Sequence, residues 1–463
     1  MLNPDRCFDP EPAQRNLARG LYATVAHLPL ICPHGHISPL VLQRNQPFGS
    51  PADLFVIPDH YVLRMLYSQG VTLEQLGIGS QNTDHRDIWR VFCTHFDLFR
   101  GTPTGLWLRD ELQSVFGISD KPSASNADAL YNALEAQLAR PEFLPRALFQ
   151  RFNIAMLCTT DAATASLEPH IALQSAGYAV RPTFRPDKLL ELHSVDWQAE
   201  LELLEALTAC SVTDYQTFIA ALERRREQFK AAGATATDHG VTQPHTSPLS
   251  LVECEAILAR ALSGTASPAD TAQFTAQMLL EFARMSCEDA LVMQLHAGSH
   301  RNHNAALHAR FGTDIGADIP VAVDWTRGLQ ALLDRSGNDP RLRLILFTLD
   351  ESTYSRELAP LVGHYPSLRL GPPWWFMDSV HGMERYLDTV LETAGARNLA
   401  GFNDDTRAFA SIPARHDLWR RVCCNWLAKQ QLRGLIDDQD ALELALDFAQ
   451  RLALSAYRLE ETK

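Results

Sequence analysis

Short apolar runs alternate along this chain with longer stretches of helical periodicity, the arrangement expected of repeated βα units. Eight runs stand out, at residues 28–32, 154–158, 178–183, 234–237, 291–295, 342–347, 367–370 and 399–402. Eight such units predict an α/β fold, a (β/α)8 TIM-type barrel whose reactive side chains sit at the C-terminal ends of the strands. The interval 50–149 is too long for one barrel loop and contains amphipathic segments at 84–98 and 127–138. It predicts a helical insertion after the first strand, lying over the barrel mouth. Segments 415–431 and 440–457 predict extra amphipathic helices after the last strand. With no repeat, low-complexity tract or Gly/Ser linker, residues 1–463 are expected to form a single domain.

Polar or aromatic residues follow every run. His34 and His36 follow the first, Thr159, Thr160 and Asp161 the second, Arg185 the third, and Asp238 with His239 the fourth. The fifth ends in His296, the sixth in Thr348 and Asp350, the seventh in Trp374 and Trp375, and the eighth in Asn403, Asp404, Asp405 and Arg407. Any one of the small polar residues suits a helix N-cap, but a set spanning all eight junctions points to a site.

Composition narrows the classes. A net charge of −14 with no run of Lys and Arg longer than three residues argues against nucleic acid or an anionic membrane surface as a partner. No stretch is apolar for the length of a membrane span, and residues 1–20 lack the apolar core of a signal peptide, so a cytoplasmic protein is expected. Nine cysteines without a CxxC pair predict reduced thiols. A homo-oligomer is the expectation for a chain of this size.

The sharpest local signal is Pro33-His34-Gly35-His36, because two histidines at i and i+2 leaving a strand can both offer a nitrogen to one divalent cation. A third ligand from the last strand would lie beside the first in a closed barrel, and both Asp404 and Asp405 qualify. Asp59-His60-Tyr61 either presents an acid/base pair to the barrel mouth or opens a helix with Asp59 as its cap. Arg185 either holds a substrate carboxylate in a bidentate grip or pairs with Asp187. His296, with Arg301, Asn302 and Asn304 after it, offers donors, and Trp374 and Trp375 offer flat faces against which a sugar packs.

In order and spacing these motifs are those of a known family. Pro33-His34-Gly35-His36, Pro58-Asp59-His60-Tyr61, Arg64-Met65, Thr159-Thr160-Asp161, Arg185-Pro186-Asp187-Lys188, Thr237-Asp238-His239-Gly240, Gln294-Leu295-His296, Arg301-Asn302, Trp374-Trp375-Phe376, Gly382-Met383 and Asp405-Thr406-Arg407 run nearly end to end. Together they resemble the uronate (glucuronate) isomerase family of the amidohydrolase superfamily. The resemblance implies interconversion of D-glucuronate with D-fructuronate and of D-galacturonate with D-tagaturonate, by aldose-ketose isomerisation through proton transfer. It implies one divalent ion, expected to be zinc, on His34, His36 and Asp405. It further implies a hexuronate pocket lined by His60, Tyr61, Arg185 and Arg407. The chemistry then gives proton handling to His60 and Tyr61, shared by Asp405, and carboxylate binding to Arg185 and Arg407, with His296, Trp374 and Trp375 as further substrate contacts. Two positions depart from the expected pattern: Ala162 stands in place of a second aspartate, and Asp404 in place of threonine. Two rival readings are a metal-dependent hydrolase of the same superfamily and a non-catalytic sugar-acid binding barrel. Hydrolases of that kind often recruit a lysine for a second metal, and none follows Asp238-His239.

Overall fold

The computed structural model describes residues 2–80 and 83–459. Its strands, in chain order, are β1 (Leu30–Cys32), β2 (Ile154–Cys158), β3 (Asp161–Ala162), β4 (Val180–Arg181), β5 (Phe184–Arg185), β6 (Ala236–Val241), β7 (Val292–Ala297), β8 (Ser299–His300), β9 (Ile319–Pro320), β10 (Leu344–Thr348) and β11 (Leu368–Leu370). All pair in parallel except the short ribbon β8/β9, which is antiparallel. One sheet runs β1-β2-β4 and the other β11-β10-β7-β6-β5-β3. Because β3 continues β2 after two residues and β5 likewise continues β4, the two sheets follow one another in sequence order. Every residue of β7 and β10 is buried, as expected of parallel strands covered on both faces.

Seven of the eight apolar runs coincide with or overlap strands. The eighth, at 399–402, makes only the bridge from Leu399 to Leu370, and the chain then leaves the ladder through Gly401 at φ +76°. From there it reaches the first strand again: the His36 N–H donates to the Thr406 carbonyl at 3.0 Å. The fourth run was expected to stop before Asp238 and His239, yet β6 contains both. A carboxylate survives inside that ladder because Arg185 and His296 lie against it, at 3.2 and 2.6 Å.

The described secondary structure between Pro39 and Arg151 is all helical, from Pro39–Arg44 to Pro145–Arg151, and the segment expected at 127–138 is a helix with those ends. This region has its own apolar cluster, built around Phe55, Trp89, Phe92 and Leu134, which also takes in Leu30 and Cys32 of β1. The C-terminal helix Ile412–Leu432 is not the amphipathic outer helix expected, since sixteen of its residues are buried. Its arginines are accommodated by specific partners: Arg420 donates to the carbonyls of Ala26, Leu28 and Pro29, and Arg421 pairs with Asp417. The segment expected at 440–457 is helical in three abutting pieces, Asp438–Leu446, Asp447–Arg451 and Leu452–Ala456. All nine cysteines are free, and no described helix is long and apolar enough to cross a membrane.

Candidate active site

A cavity of about 560 Å³ opens at the C-terminal ends of the strands, walled by His36, His60, Tyr61, Arg185, Trp374, Trp375, Asp405 and Arg407 among others. On its floor the Nε2 atoms of His34 and His36 lie 3.3 and 3.1 Å from Asp405 Oδ1. The histidines project together because they alternate across one residue at the end of β1, where Thr160 Oγ1 donates to the Gly35 carbonyl at 3.0 Å. Asp405 is aimed by its backbone, held in the left-handed region at φ +40°. That conformation is costly for a residue with a Cβ and is found where a site demands it. It also separates two adjacent acids: Asp405 turns to His34 and His36, while Asp404 turns to Cys32 and His416.

Burial opposes charge on Asp405, but the two imidazoles beside it hold its carboxyl well below the usual range. The histidines divide: burial lowers His36, whereas at His34 the Asp405 carboxylate outweighs burial and raises the ring. Asp405 Oδ1 is buried yet accepts no well-aligned hydrogen bond, although two ring nitrogens face it. Two imidazoles and one carboxylate oxygen, close and mutually unsatisfied, suit a divalent cation with open positions for substrate. Asp405 Oδ2 is held separately by the Trp374 indole N–H at 2.5 Å.

Two arginines flank this floor. Arg185, on β5, donates from Nε to Asp187 at 2.7 Å and meets Asp238 with Nη1 at 3.2 Å. Burial disfavours its charge, but these two carboxylates more than compensate and raise it further. Arg407 pairs with Asp314 at 2.9 Å, on the loop carried by the β8/β9 ribbon, rather than with Asp404 or Asp405. Its Nε is buried and unpartnered. Five carboxylates of the cavity wall, from Asp187, Glu191, Asp314, Asp378 and Asp405, face four cations, from Arg185, Lys188, Arg301 and Arg407. A divalent ion would therefore tip the wall from slightly negative to positive.

His60 and Tyr61 begin the helix His60–Tyr67, and Asp59 does cap it, accepting from the N–H groups of Tyr61 and Val62. Capping and pocket lining are thus the same device. Burial, aided by Arg407, lowers His60 to about 3, so the ring is neutral near pH 7. Burial and the neighbouring Asp378 raise Tyr61 well above the usual phenol range. The Tyr61 hydroxyl donates to Asp378 at 3.0 Å and accepts from the Phe376 N–H at 3.3 Å. Arg415 closes the arrangement, reaching Asp378 at 3.2 Å and the Asp404 carbonyl at 3.3 Å. The indole ring of Trp107 lies under its guanidinium at 3.8 Å.

Of the residues predicted to contact substrate, His296 is absent from the cavity wall. It lies beneath, stacked on Phe347 at 4.1 Å and on His34 at 4.7 Å, with Nδ1 2.6 Å from Asp238. Burial lowers it to about 4, and its Nε2 is unpartnered. Asp378, Arg415 and Asp314 were not predicted. Asp378 does follow the seventh strand closely, a signal that was readable, whereas nothing local marks Arg415 or Asp314.

A model of the glucuronate isomerase family matches residues 12–451 of the chain. A uronate isomerase of Nostoc punctiforme is 56% identical over 466 residues, covering 99% of each chain. The solved structure of the glucuronate isomerase of Caulobacter crescentus superposes with a TM-score of 0.98 at 47% identity, over 100% of this chain and 98% of its own. That of the Thermotoga maritima uronate isomerase gives 0.93 at 26% identity, over 99% of each.

Proposed function

Because the chain belongs to the glucuronate isomerase family, we propose that it interconverts D-glucuronate with D-fructuronate and D-galacturonate with D-tagaturonate, moving the carbonyl between C1 and C2. The observation that carries this reading is the meeting of His36 and Asp405 with Arg185 and Arg407 in one cavity, with His34 against Asp405 beneath them. We read the sequential parallel strands as a closed (β/α)8 barrel, on the strength of the contact between His36 and Thr406. The helices inserted at 50–149 then roof its mouth, and from them His60 and Tyr61 enter the cavity. A cytoplasmic homo-oligomer is our reading of its state in the cell.

The reaction requires removal of the C2 proton, support for an enediol and return of a proton to C1. A divalent ion on His34, His36 and Asp405, zinc in our reading, would supply Lewis acidity toward the substrate oxygens. Arg185 and Arg407 bind the substrate carboxylate through charge-assisted hydrogen bonds, which lets a chain of net charge −14 select an anion. His60 is neutral and Asp405 ionised, so both can accept a proton, while the Tyr61 hydroxyl stays protonated and serves as the acid. Trp374 and Trp375 pack against the sugar and keep water from the reacting carbons.

The grip of Arg185 depends on Gly240. A Cβ there would stand 2.7 Å from Arg185 Nη2 and 2.9 Å from Asp187 Oδ2. Gly240→Ala should push the guanidinium aside and raise KM about 10-fold, and Arg185→Met should lower kcat/KM for either uronate by about 10- to 100-fold. Any reaction of the neutral aldoses should suffer much less. Equal losses on charged and neutral sugars would show that Arg185 maintains the site rather than reading the carboxylate.

The deciding assay incubates metal-replete protein with each uronate in D2O and follows the products by NMR. Deuterated 2-keto product is expected. Absence of product from both substrates would return the choice to a hydrolase or a binding protein, and product free of deuterium would mean either a hydride shift or a proton carried from C2 to C1 without exchange with solvent.

A further inference from the structure

We propose that Cys32, Asp404 and His416 form a second, enclosed cation site of the zinc class behind the catalytic cavity. Cys32 ends β1, Asp404 precedes Asp405, and His416 stands near the start of the helix Ile412–Leu432. Their relative exposures are 0%, 2% and 2%. Cys32 Sγ lies 3.6 Å from His416 Nε2, and His416 Nε2 lies 3.3 Å from Asp404 Oδ2. Tetrahedral ligands at metal distances of about 2.3 Å for sulfur and 2.0 to 2.2 Å for nitrogen and oxygen are separated by about 3.6 Å (S to N) and 3.4 Å (N to O). The same measure applies on the other side of the loop, where the imidazoles stand 3.1 and 3.3 Å from Asp405.

Charge supports the assignment. The Asp404 carboxylate is buried and its Oδ1 is unpartnered, free to act as a further donor. Neither neighbouring guanidinium bonds its carboxylate oxygens, since Arg415 bonds the Asp404 backbone carbonyl and Arg420 is committed to the carbonyls of Ala26, Leu28 and Pro29. A carboxylate left so in a protein interior is costly. A divalent cation bound by one carboxylate, one thiolate and one neutral imidazole makes the group electrically neutral. Its binding forms a metal–sulfur bond and releases the Cys32 proton to solvent, with no change of oxidation state. The site's enclosure suits a structural ion, one that ties β1 to the last loop and to the C-terminal helix.

The test uses full-length protein produced with Co2+ in place of Zn2+. Two equivalents of cobalt per chain and a near-ultraviolet thiolate-to-cobalt charge-transfer band are expected. Asp405→Asn should fall to one equivalent and keep the band, because catalytic-cavity ligands contain no sulfur. Cys32→Ser should lose the band and the second equivalent. A wild-type protein with no thiolate band, whatever its cobalt content, overturns the proposal without recourse to any variant. A band that survives Cys32→Ser overturns it as well.

Discussion

Asp405→Asn is expected to lower kcat on both uronates by at least about 1,000-fold, because on the proposed mechanism the substitution removes a base and a metal ligand together. The amide is nearly isosteric and can still accept the Trp374 indole N–H, now 2.5 Å from Oδ2, so the loop should keep its place. What disappears is the negative charge that faces His34 and His36 at 3.3 and 3.1 Å. Occupancy of the catalytic metal should fall with kcat. Measurement of both on one preparation is informative: full occupancy with wild-type kcat would remove Asp405 from the site, and full occupancy with a collapsed kcat would leave it as a base alone.

His60→Ala should cost about 100- to 10,000-fold in kcat, the range for removal of a general acid or base. Its ring is lowered to about 3, first by burial and then by Arg407. A histidine depressed so far carries no proton between about pH 5 and 8, so the wild-type kcat profile should show no titration of this group in that window. The loss in His60→Ala should accordingly be uniform across it. A loss confined to one side of a midpoint near pH 6.5 would mean that the ring is solvated and titrates normally. Wild-type turnover in a folded variant would exclude His60 from the mechanism.

The legible parts of this fold were those in which local pattern and burial agree. β10 is a nearly continuous apolar run because both its faces are covered, and β7, buried throughout, stood out by its apolar residues although Gln294 and His296 lie within it. His34 and His36 were visible because their alternation at a strand end is itself the chemistry. Local pattern left adjacent Asp404 and Asp405 equivalent and only the family resemblance chose Asp405, since their opposite aims arise from a left-handed backbone at Asp405 that no neighbouring glycine announces. β6 was cut short because Asp238 and His239 break an apolar run, and only partners distant in sequence make them tolerable inside a sheet. The same cause hid Arg415. Its partner Asp378 lies 37 residues away, and the Tyr61 that Asp378 holds is 317 residues from it. The helix beginning at Ile412 was expected to be amphipathic, and nothing local showed that Arg420 would be buried by binding backbone carbonyls of the first strand's approach.

The contact between His36 and Thr406, and the approach of Cys32 to His416 across 384 residues, bear on how the protein is made. Chain-end contacts carry the largest loop-closure entropy and contribute to slow, high-contact-order folding. During synthesis the two histidines leave the ribosome well before Asp405. A nascent chain can build the helical insertion and most strands from local segments, but cannot assemble the cation-binding floor until the C-terminal helix emerges. On the proposed site, metal uptake would therefore be a late event in the life of each molecule, and a chain that ends before residue 399 can hold neither the floor of the cavity nor the helix that braces it.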